Sequence, residues 1–244
     1  CYYVKLKENM IETDGDIHQV AIDASHPFTE APWVHKYNGK YYLTYASEWP
    51  EKIAYAMADK VTGPYEVKGI ISEIAGNSNT THPAIVNFRD KWVFFSHNGG
   101  LPEGTSYSRS VVAEPMEYNP DGTIKKINPS TEGMQFKEWS GNPILPGMHA
   151  EWASGNAWAP AIIEKKVDGQ YKYFFYYSGN AGNAKAIGVA VADSPTGPFV
   201  DLGHPIVNKR PAGLKNGQQI DVDVFNDPDT GIDYLYWGNG YMAG

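Results

Sequence analysis

Short runs of aromatic, β-branched and small apolar residues recur along the whole chain, cut every few positions by Gly, Pro, Asn or Asp. No long segment carries a helical period, so the pattern predicts strands and tight turns throughout. Trp33-Val34-His35-Lys36-Tyr37 and residues 41–45 flank Asn38-Gly39, a strong hairpin signal because both turn residues tolerate positive φ. Ala84-Ile85-Val86-Asn87-Phe88 and residues 91–96 predict a second hairpin through Arg89-Asp90, followed by a strand at 110–112 and a turn at 119–123.

One stretch occurs twice. Tyr41-Tyr42-Leu43-Thr44-Tyr45, Ile53-Ala54-Tyr55-Ala56-Met57-Ala58-Asp59 and Thr62-Gly63-Pro64-Tyr65 return as Tyr173-Phe174-Phe175-Tyr176-Tyr177-Ser178, Ile187-Gly188-Val189-Ala190-Val191-Ala192-Asp193 and Thr196-Gly197-Pro198-Phe199. A strand-rich unit repeated at this size stacks against its own copies, which predicts an all-β fold of the β-propeller kind. Four units are recognisable: 31–69, 82–127, 158–207, and one that opens at Ile220 and stops after two strands. Tyr2-Tyr3-Val4-Lys5-Leu6 belongs to none of them. Pairing it with residues 236–241 would put both chain ends in one blade and leave no exposed edge between the first and last blades. The expectation is a single domain over 1–244, with 128–151 its most irregular stretch.

Composition narrows the function classes. A net charge of −8 with no basic run argues against nucleic acid, whose phosphates need clustered Lys and Arg. An acidic surface suits a neutral, polyhydroxylated substrate, and it equally serves plain solubility. The one cysteine, Cys1, allows no disulfide within the chain. No apolar run approaches a membrane span. The first residue is not Met and no signal peptide leads the chain, so the terminus reads as processed, engineered or cut from something longer. An extracellular or periplasmic location follows if the native protein carried a signal peptide.

Acids standing where apolar residues are expected are the candidates for chemistry. Splitting a glycosidic bond takes one protonated carboxyl for the leaving oxygen and one ionised carboxyl for water or for attack. Glu30 lies between Phe28 and Ala31-Pro32-Trp33 at the start of an inner strand; the plain alternative is a solvated loop acid. Asp221 sits between Ile220 and Val222, with Asp223 on the same strand face; the alternatives are a solvated face or a turn cap. Asp227 and Asp229 read as turn residues. His82 opens the inner strand of its unit as a ligand or as a core histidine. Arg109 either holds sugar hydroxyls or makes a surface ion pair. Trp33, Trp49, Trp152 and Trp158 either stack on sugar rings or fill the core. There is no phosphate loop, metal-ligand spacing or Gly-x-Ser-x-Gly elbow.

Six motifs together resemble glycoside hydrolase family 43, the five-bladed propellers that include β-xylosidases, α-L-arabinofuranosidases and arabinanases. They are Trp158-Ala159-Pro160-Ala161, Gly188-Val189-Ala190-Val191-Ala192-Asp193 with its Gly197-Pro198-Phe199 turn, Ile220-Asp221-Val222-Asp223-Val224-Phe225, Thr29-Glu30-Ala31-Pro32-Trp33, His82-Pro83, and Arg109-Ser110-Val111 with the 119–124 turn. The resemblance covers nearly the whole chain. It implies an inverting glycosidase on xylose- or arabinose-containing plant cell-wall glycans, with an oligosaccharide or polysaccharide as partner. Glu30 would be the general acid and Asp221 the group that tunes and orients it. Arg109, Trp33, His82 and Trp158 would contact sugar. His82 would also lie near the central axis, where the family often holds a calcium ion or a water; no other cofactor is implied.

Two departures from the family pattern follow. The Trp158 and Ile220 segments come after the Glu30 segment, the reverse of the family order, so the chain resembles a circular permutant whose old ends join near 133–136. Most of the family's first blade, which carries the general-base Asp in an Ala-Asp-Pro setting, is missing; Phe136-Lys137-Glu138-Trp139 resembles its end. Asn142-Pro143-Ile144 through His149-Ala150-Glu151 resembles the approach to the base, with Glu151 in place of Asp. Three accounts stay open: the blade comes from residues outside this chain, Glu151 replaces the base, or the protein is a catalytically impaired sugar-binding propeller or an engineered fragment of such an enzyme.

Overall fold

The computed structural model describes residues 1–74, 76–88, 90–130, 150–153, 158–195, 197–209 and 218–238. The join at 133–136, the blade remnant at 136–139, the segment 142–149 and the tail 239–241 lie outside the described residues. In chain order the strands are β1 (Tyr2–Leu6), β2 (Thr13–Gln19), β3 (Phe28–Tyr37), β4 (Lys40–Ser47) and β5 (Lys52–Ala58). Then come β6 (Glu66–Ser72), β7 (Ala84–Phe88), β8 (Lys91–Asn98), β9 (Ser110–Pro115) and β10 (Trp158–Val167). The last are β11 (Gln170–Ala181), β12 (Ala184–Ala192), β13 (Val200–Asp201), β14 (Ile220–Asn226) and β15 (Asp233–Gly238). No helix occurs among the described residues, hence none long and apolar enough to cross a membrane.

The strands form four antiparallel sheets, the blades of a β-propeller: β3-β4-β5-β6, β7-β8-β9, β10-β11-β12-β13 and β14-β15-β1-β2. The last sheet joins the chain's two ends, with Tyr2 opposite Trp237 and Val4 opposite Leu235. β2 adds an outer strand that its polar sequence, Thr-Asp-Gly-Asp-Ile-His-Gln, did not suggest. Two compact units divide the chain: Val20–Trp139, and Cys1–Gln19 with Ser140–Gly244.

Each unit has its own core. In the first, Tyr42, Ile53, Tyr55, Ile71, Ile85 and Phe94 are buried between the β3–β6 and β7–β9 sheets, and Met116, Ile124 and Ile127 close it. In the second, Tyr2, Val4 and Leu6 alternate inward from β1 and meet Tyr176, Ile187, Leu235 and Trp237. The repeated Thr-Gly-Pro-aromatic turn is the same turn twice. Gly63 and Gly197 both have φ of 84°, and their N–H groups donate to Lys60 O and Ser194 O at 2.9 and 3.0 Å. Only glycine adopts that φ without strain.

A bulge recurs at the start of three inner strands. Register slips between Glu30 and Trp33, between Trp158 and Ala161, and between Ile220 and Asp223. Each slip carries a non-glycine residue in the left-handed region: Ala31 at 56°, Ala159 at 35° and Asp221 at 57°. Such residues cost about 1–2 kcal/mol each. A bulge bends the strand and re-aims its side chains, and both candidate acids sit on one.

Candidate active site

Glu30 lies on β3 opposite Ala46, with the chain slipping in register on both sides of it. Side chains of β3 and β4 fasten the bulge. Tyr45 donates to His26 O at 2.8 Å, Ser47 to Pro27 O at 2.8 Å and Thr44 to Trp33 O at 3.3 Å. The Glu30 side chain is left 17% exposed, and its Oε1 stands 3.1 Å from His82 Nε2. Of the residues expected from the sequence, the structure thus joins Glu30 and His82. Arg109 completes the group from the start of β9, its guanidinium donating to Thr80 Oγ1 at 2.5 Å. Trp33 turns to packing: its indole N–H donates to Ile85 O at 3.0 Å and ties β3 to β7.

The third member of the cluster is Glu51, which sequence reasoning missed. It lies in the turn between β4 and β5 and is 1% exposed. Its N–H donates to Asn79 O at 2.9 Å, and its Oε2 accepts from Thr81 N–H at 2.8 Å. Its Oε1 finds no donor among the described residues. Glu30, Glu51 and His82 each bring a polar atom within 4.8 Å of the other two. Behind them Thr81 donates to His97 O at 3.0 Å, and the His97 ring lies 5.0 Å from that of His82.

Burial and charge push the two acids apart. Burial alone raises Glu30, but the His82 hydrogen bond and charge, a link to Glu51 and the Arg109 charge outweigh it and hold the carboxyl below its usual range. Burial, then the Glu30 charge, push Glu51 up to about 8, against the Thr81 N–H and the His82 charge. Burial, with the charges of His82 and Arg109, pushes His97 down to about 3. Two carboxyls in so dry a site do not both stay ionised, so their titrations separate.

Calcium takes roughly six to eight oxygen ligands. Here Glu30 Oε1 faces a histidine nitrogen and Glu51 Oε2 faces an amide N–H. The donors address one another rather than a common centre, so these residues do not fit calcium. His82 acts here as the partner of Glu30.

Of the other expected residues, Trp49 is exposed in the turn between β4 and β5, and the rest lie in the second unit. Asp221 is buried, and its N–H donates to Ser178 Oγ at 3.1 Å. Trp158 pairs with the same Ser178 in the β10–β11 ladder, so Ser178 brings these two predicted residues together. Trp158 is 44% exposed, with Lys185 Nζ 3.5 Å above its ring. Asp223 is buried beside Tyr236. Asp227 is a turn residue as read, accepting from Thr230 Oγ1 at 2.7 Å and Asp229 N–H at 3.1 Å. Glu151 is exposed in a short turn where Ala153 N–H donates to Ala150 O at 3.1 Å.

Comparisons with known proteins agree with the motifs. The family profile described as glycosyl hydrolases family 43 matches residues 1–124 and 135–243. A β-xylosidase of Xylanibacter ruminicola is 39% identical over 106 residues, 43% of this chain and 33% of that protein. A xylosidase/arabinosidase of Bacteroides ovatus is 35% identical over 140 residues, 52% of this chain and 42% of that protein. The matched part of the chain thus spans less than half the length of either relative. The crystal structure of an α-L-arabinofuranosidase from Lactobacillus brevis superposes with a TM-score of 0.54 at 12% identity, over 88% of this chain and 86% of the other; that likeness is one of fold.

Proposed function

The chain belongs to glycosyl hydrolase family 43, and on that premise we propose that it hydrolyses xylose- or arabinose-containing plant cell-wall glycans with inversion, using Glu30 as general acid. The observation that carries this reading is the Glu30 carboxyl itself. It is partly exposed, set on a strand bulge and backed by His82 and a second carboxyl. The relatives' names support a pentose substrate.

In this reading the Glu30 proton passes to the glycosidic oxygen, so the leaving sugar departs as an alcohol. Water attacks the anomeric carbon from the far side and loses a proton to a second carboxylate. Inversion puts those carboxyls about 6.5–9.5 Å apart, with water between base and sugar. Glu51 cannot be that base: it is 1% exposed and packed directly against the acid. Glu151 keeps the candidacy, Asp221 the orienting role, and Arg109 and Trp158 the sugar contacts. Two-carboxyl hydrolysis needs no cofactor, and no calcium enters this reading.

The buried state of Glu51 also favours a second reading, a sugar-binding propeller without turnover, because the acid's nearest carboxyl is barred from activating water. Aryl β-xylosides and aryl α-L-arabinofuranosides separate the two. The hydrolase reading expects chromophore release by the parent chain. It also expects Glu30→Ala to cut turnover of unactivated xylo- or arabino-oligosaccharides about 10²–10⁴-fold, the usual worth of general acid catalysis, while the fold is kept. Calorimetric binding of the oligosaccharides with no release of either aryl group would establish the binding reading instead.

A further inference from the structure

We infer that Glu51 is a positioning residue that holds the one proton it shares with Glu30 and passes it to Glu30, which delivers it to the leaving group. The inference rests on the hydrolase reading for its catalytic use, but its physical basis is the geometry of the pair.

Glu51 is walled off from solvent at 1% exposure, and one of its oxygens has a fixed donor, the Thr81 amide. The other has none among the described residues. An ionised carboxylate with a bare oxygen in so dry a place is costly. Glu30 faces it: one polar atom of each acid lies within 4.8 Å of the other, and a side-chain hydrogen bond links the pair. Two carboxylates cannot donate to each other, so a proton between them is what satisfies the bare oxygen. The charged and titratable groups around the pair decide where it rests. His82, ahead of β7, and Arg109, ahead of β9, favour the ionised form of Glu30. His97, on β8, is buried and driven toward its neutral form, so it adds no charge of its own. The proton therefore rests on Glu51 until the substrate draws on Glu30.

The step balances. The bond from the anomeric carbon to the leaving oxygen breaks, and its electron pair stays on that oxygen. The oxygen takes the shared proton, which moves from Glu51 onto Glu30 and from there to the oxygen, leaving both carboxyls ionised. Attacking water forms the new carbon–oxygen bond and gives up the proton that restores the pair through solvent. Glu51 never touches the sugar.

The test is Glu51→Gln. Glutamine keeps an oxygen for the Thr81 N–H and turns an N–H₂ toward Glu30, but it has no proton to give. Two readouts separate the inference from the reading under it. Infrared difference spectroscopy of the full chain should detect a protonated carboxyl at pH 7 that titrates near 8, and this signal should vanish in Glu51→Gln. On aryl pentosides, the basic limb of the pH–rate profile should move acidward by about three units or more, an about 100-fold loss at pH 7 that is recovered in acid at tenfold per pH unit. An unchanged limb, or a carboxyl signal that survives Glu51→Gln, overturns the inference. If that variant fails to fold, Glu30→Gln serves: without the Glu30 charge the Glu51 titration must shift acidward, and a fixed titration overturns the inference. If the parent chain cleaves no aryl pentoside while the titration behaves as stated, the hydrolase reading fails and the shared proton stands.

Discussion

Acid should destabilise the Val20–Trp139 unit through its buried histidines, and for His35 the structure sets the amount. His35 is 5% exposed on β3. Its ring stacks on Tyr42 with centroids 4.8 Å apart, Nε2 lies 2.8 Å from Tyr118 Oη, and Nδ1 has no partner among the described residues. Burial pushes its pKa from 6.5 down to about 3. The folded protein therefore keeps His35 neutral at pH values where the unfolded chain has already bound a proton. The stability this supplies is full above 6.5 and is lost as pH falls from 6.5 toward 3. At pH 5 the gap is about 1.5 units, worth about 2 kcal/mol at 1.36 kcal/mol per unit. His97, also pushed down to about 3, acts in the same direction. Glu51, raised from 4.5 to about 8, acts in the opposite one: its contribution is present in acid and lost as pH climbs to 8. The difference between parent and His35→Phe isolates the His35 share, because phenylalanine keeps the ring stack and cannot titrate. The substitution also orphans the Tyr118 hydroxyl at about 1–3 kcal/mol. That cost is constant here, since burial raises the Tyr118 phenol far above this range. Urea unfolding at pH 5, 6 and 7 should show the parent's lead over His35→Phe shrinking by about 2 kcal/mol from pH 7 to pH 5. A lead that stays constant refutes the argument.

Three further outcomes follow from single contacts. Tyr176 is fully buried and its hydroxyl donates to Met10 O at 2.7 Å, so Tyr176→Phe should cost about 1–3 kcal/mol in urea unfolding by stranding that carbonyl. At Gly188 a Cβ would stand 2.4 Å from Trp152 Cζ2 and 2.9 Å from Tyr177 Cζ; Gly188→Ala should destabilise by about 1–3 kcal/mol and alter the near-ultraviolet circular dichroism of the Trp152–Tyr177 stack. Arg109→Ala should raise KM for aryl pentosides more than it lowers kcat if the guanidinium holds sugar. A fall in kcat at constant KM would mean that it acts only through the charge of Glu30.

What the sequence disclosed was whatever a local pattern determines. Asn38-Gly39 and the two Thr-Gly-Pro turns dictate backbone shape within a few residues, and both hairpins formed as expected around their strands. Tyr2, Val4 and Leu6 alternate, so β1 had to lie in a half-buried sheet, and only the truncated last unit lacked strands. β2 was hidden because it lies outside the core and carries no apolar stripe. Glu30 and His82 were legible as polar residues at the heads of apolar strands. Glu51 was not: in Trp49-Pro50-Glu51-Lys52 it has the look of a solvated turn acid. It is buried by the Asn79–Thr81 backbone, which arrives from about 30 positions further on. No local pattern contains that contact.

The repeat did contain a signal for Glu51, once register is used to align the two copies. Glu30 pairs with Ala46 and Ala46 with Ile53; in the other copy Trp158 pairs with Ser178 and Ser178 with Ile187. Glu30 and Trp158 therefore occupy one position of the blade, each a residue ahead of a left-handed alanine. Counting back from Ile53 and Ile187 makes Glu51 the counterpart of Lys185. Both are ionisable, both are buried, and each reaches the residue at the head of its own blade's inner strand: Glu51 the carboxyl of Glu30, Lys185 the ring of Trp158 at 3.5 Å. The blade thus presents a bulge that aims one side chain and a turn that delivers a second one against it. Where the first is a tryptophan and the second a lysine, the product is a cation over an aromatic face, a device for packing. Where both are glutamates, the same geometry forces two like charges together in a dry site, and a proton must enter to relieve them. Chemistry at this position comes from substituting the pair, with the backbone left as it was.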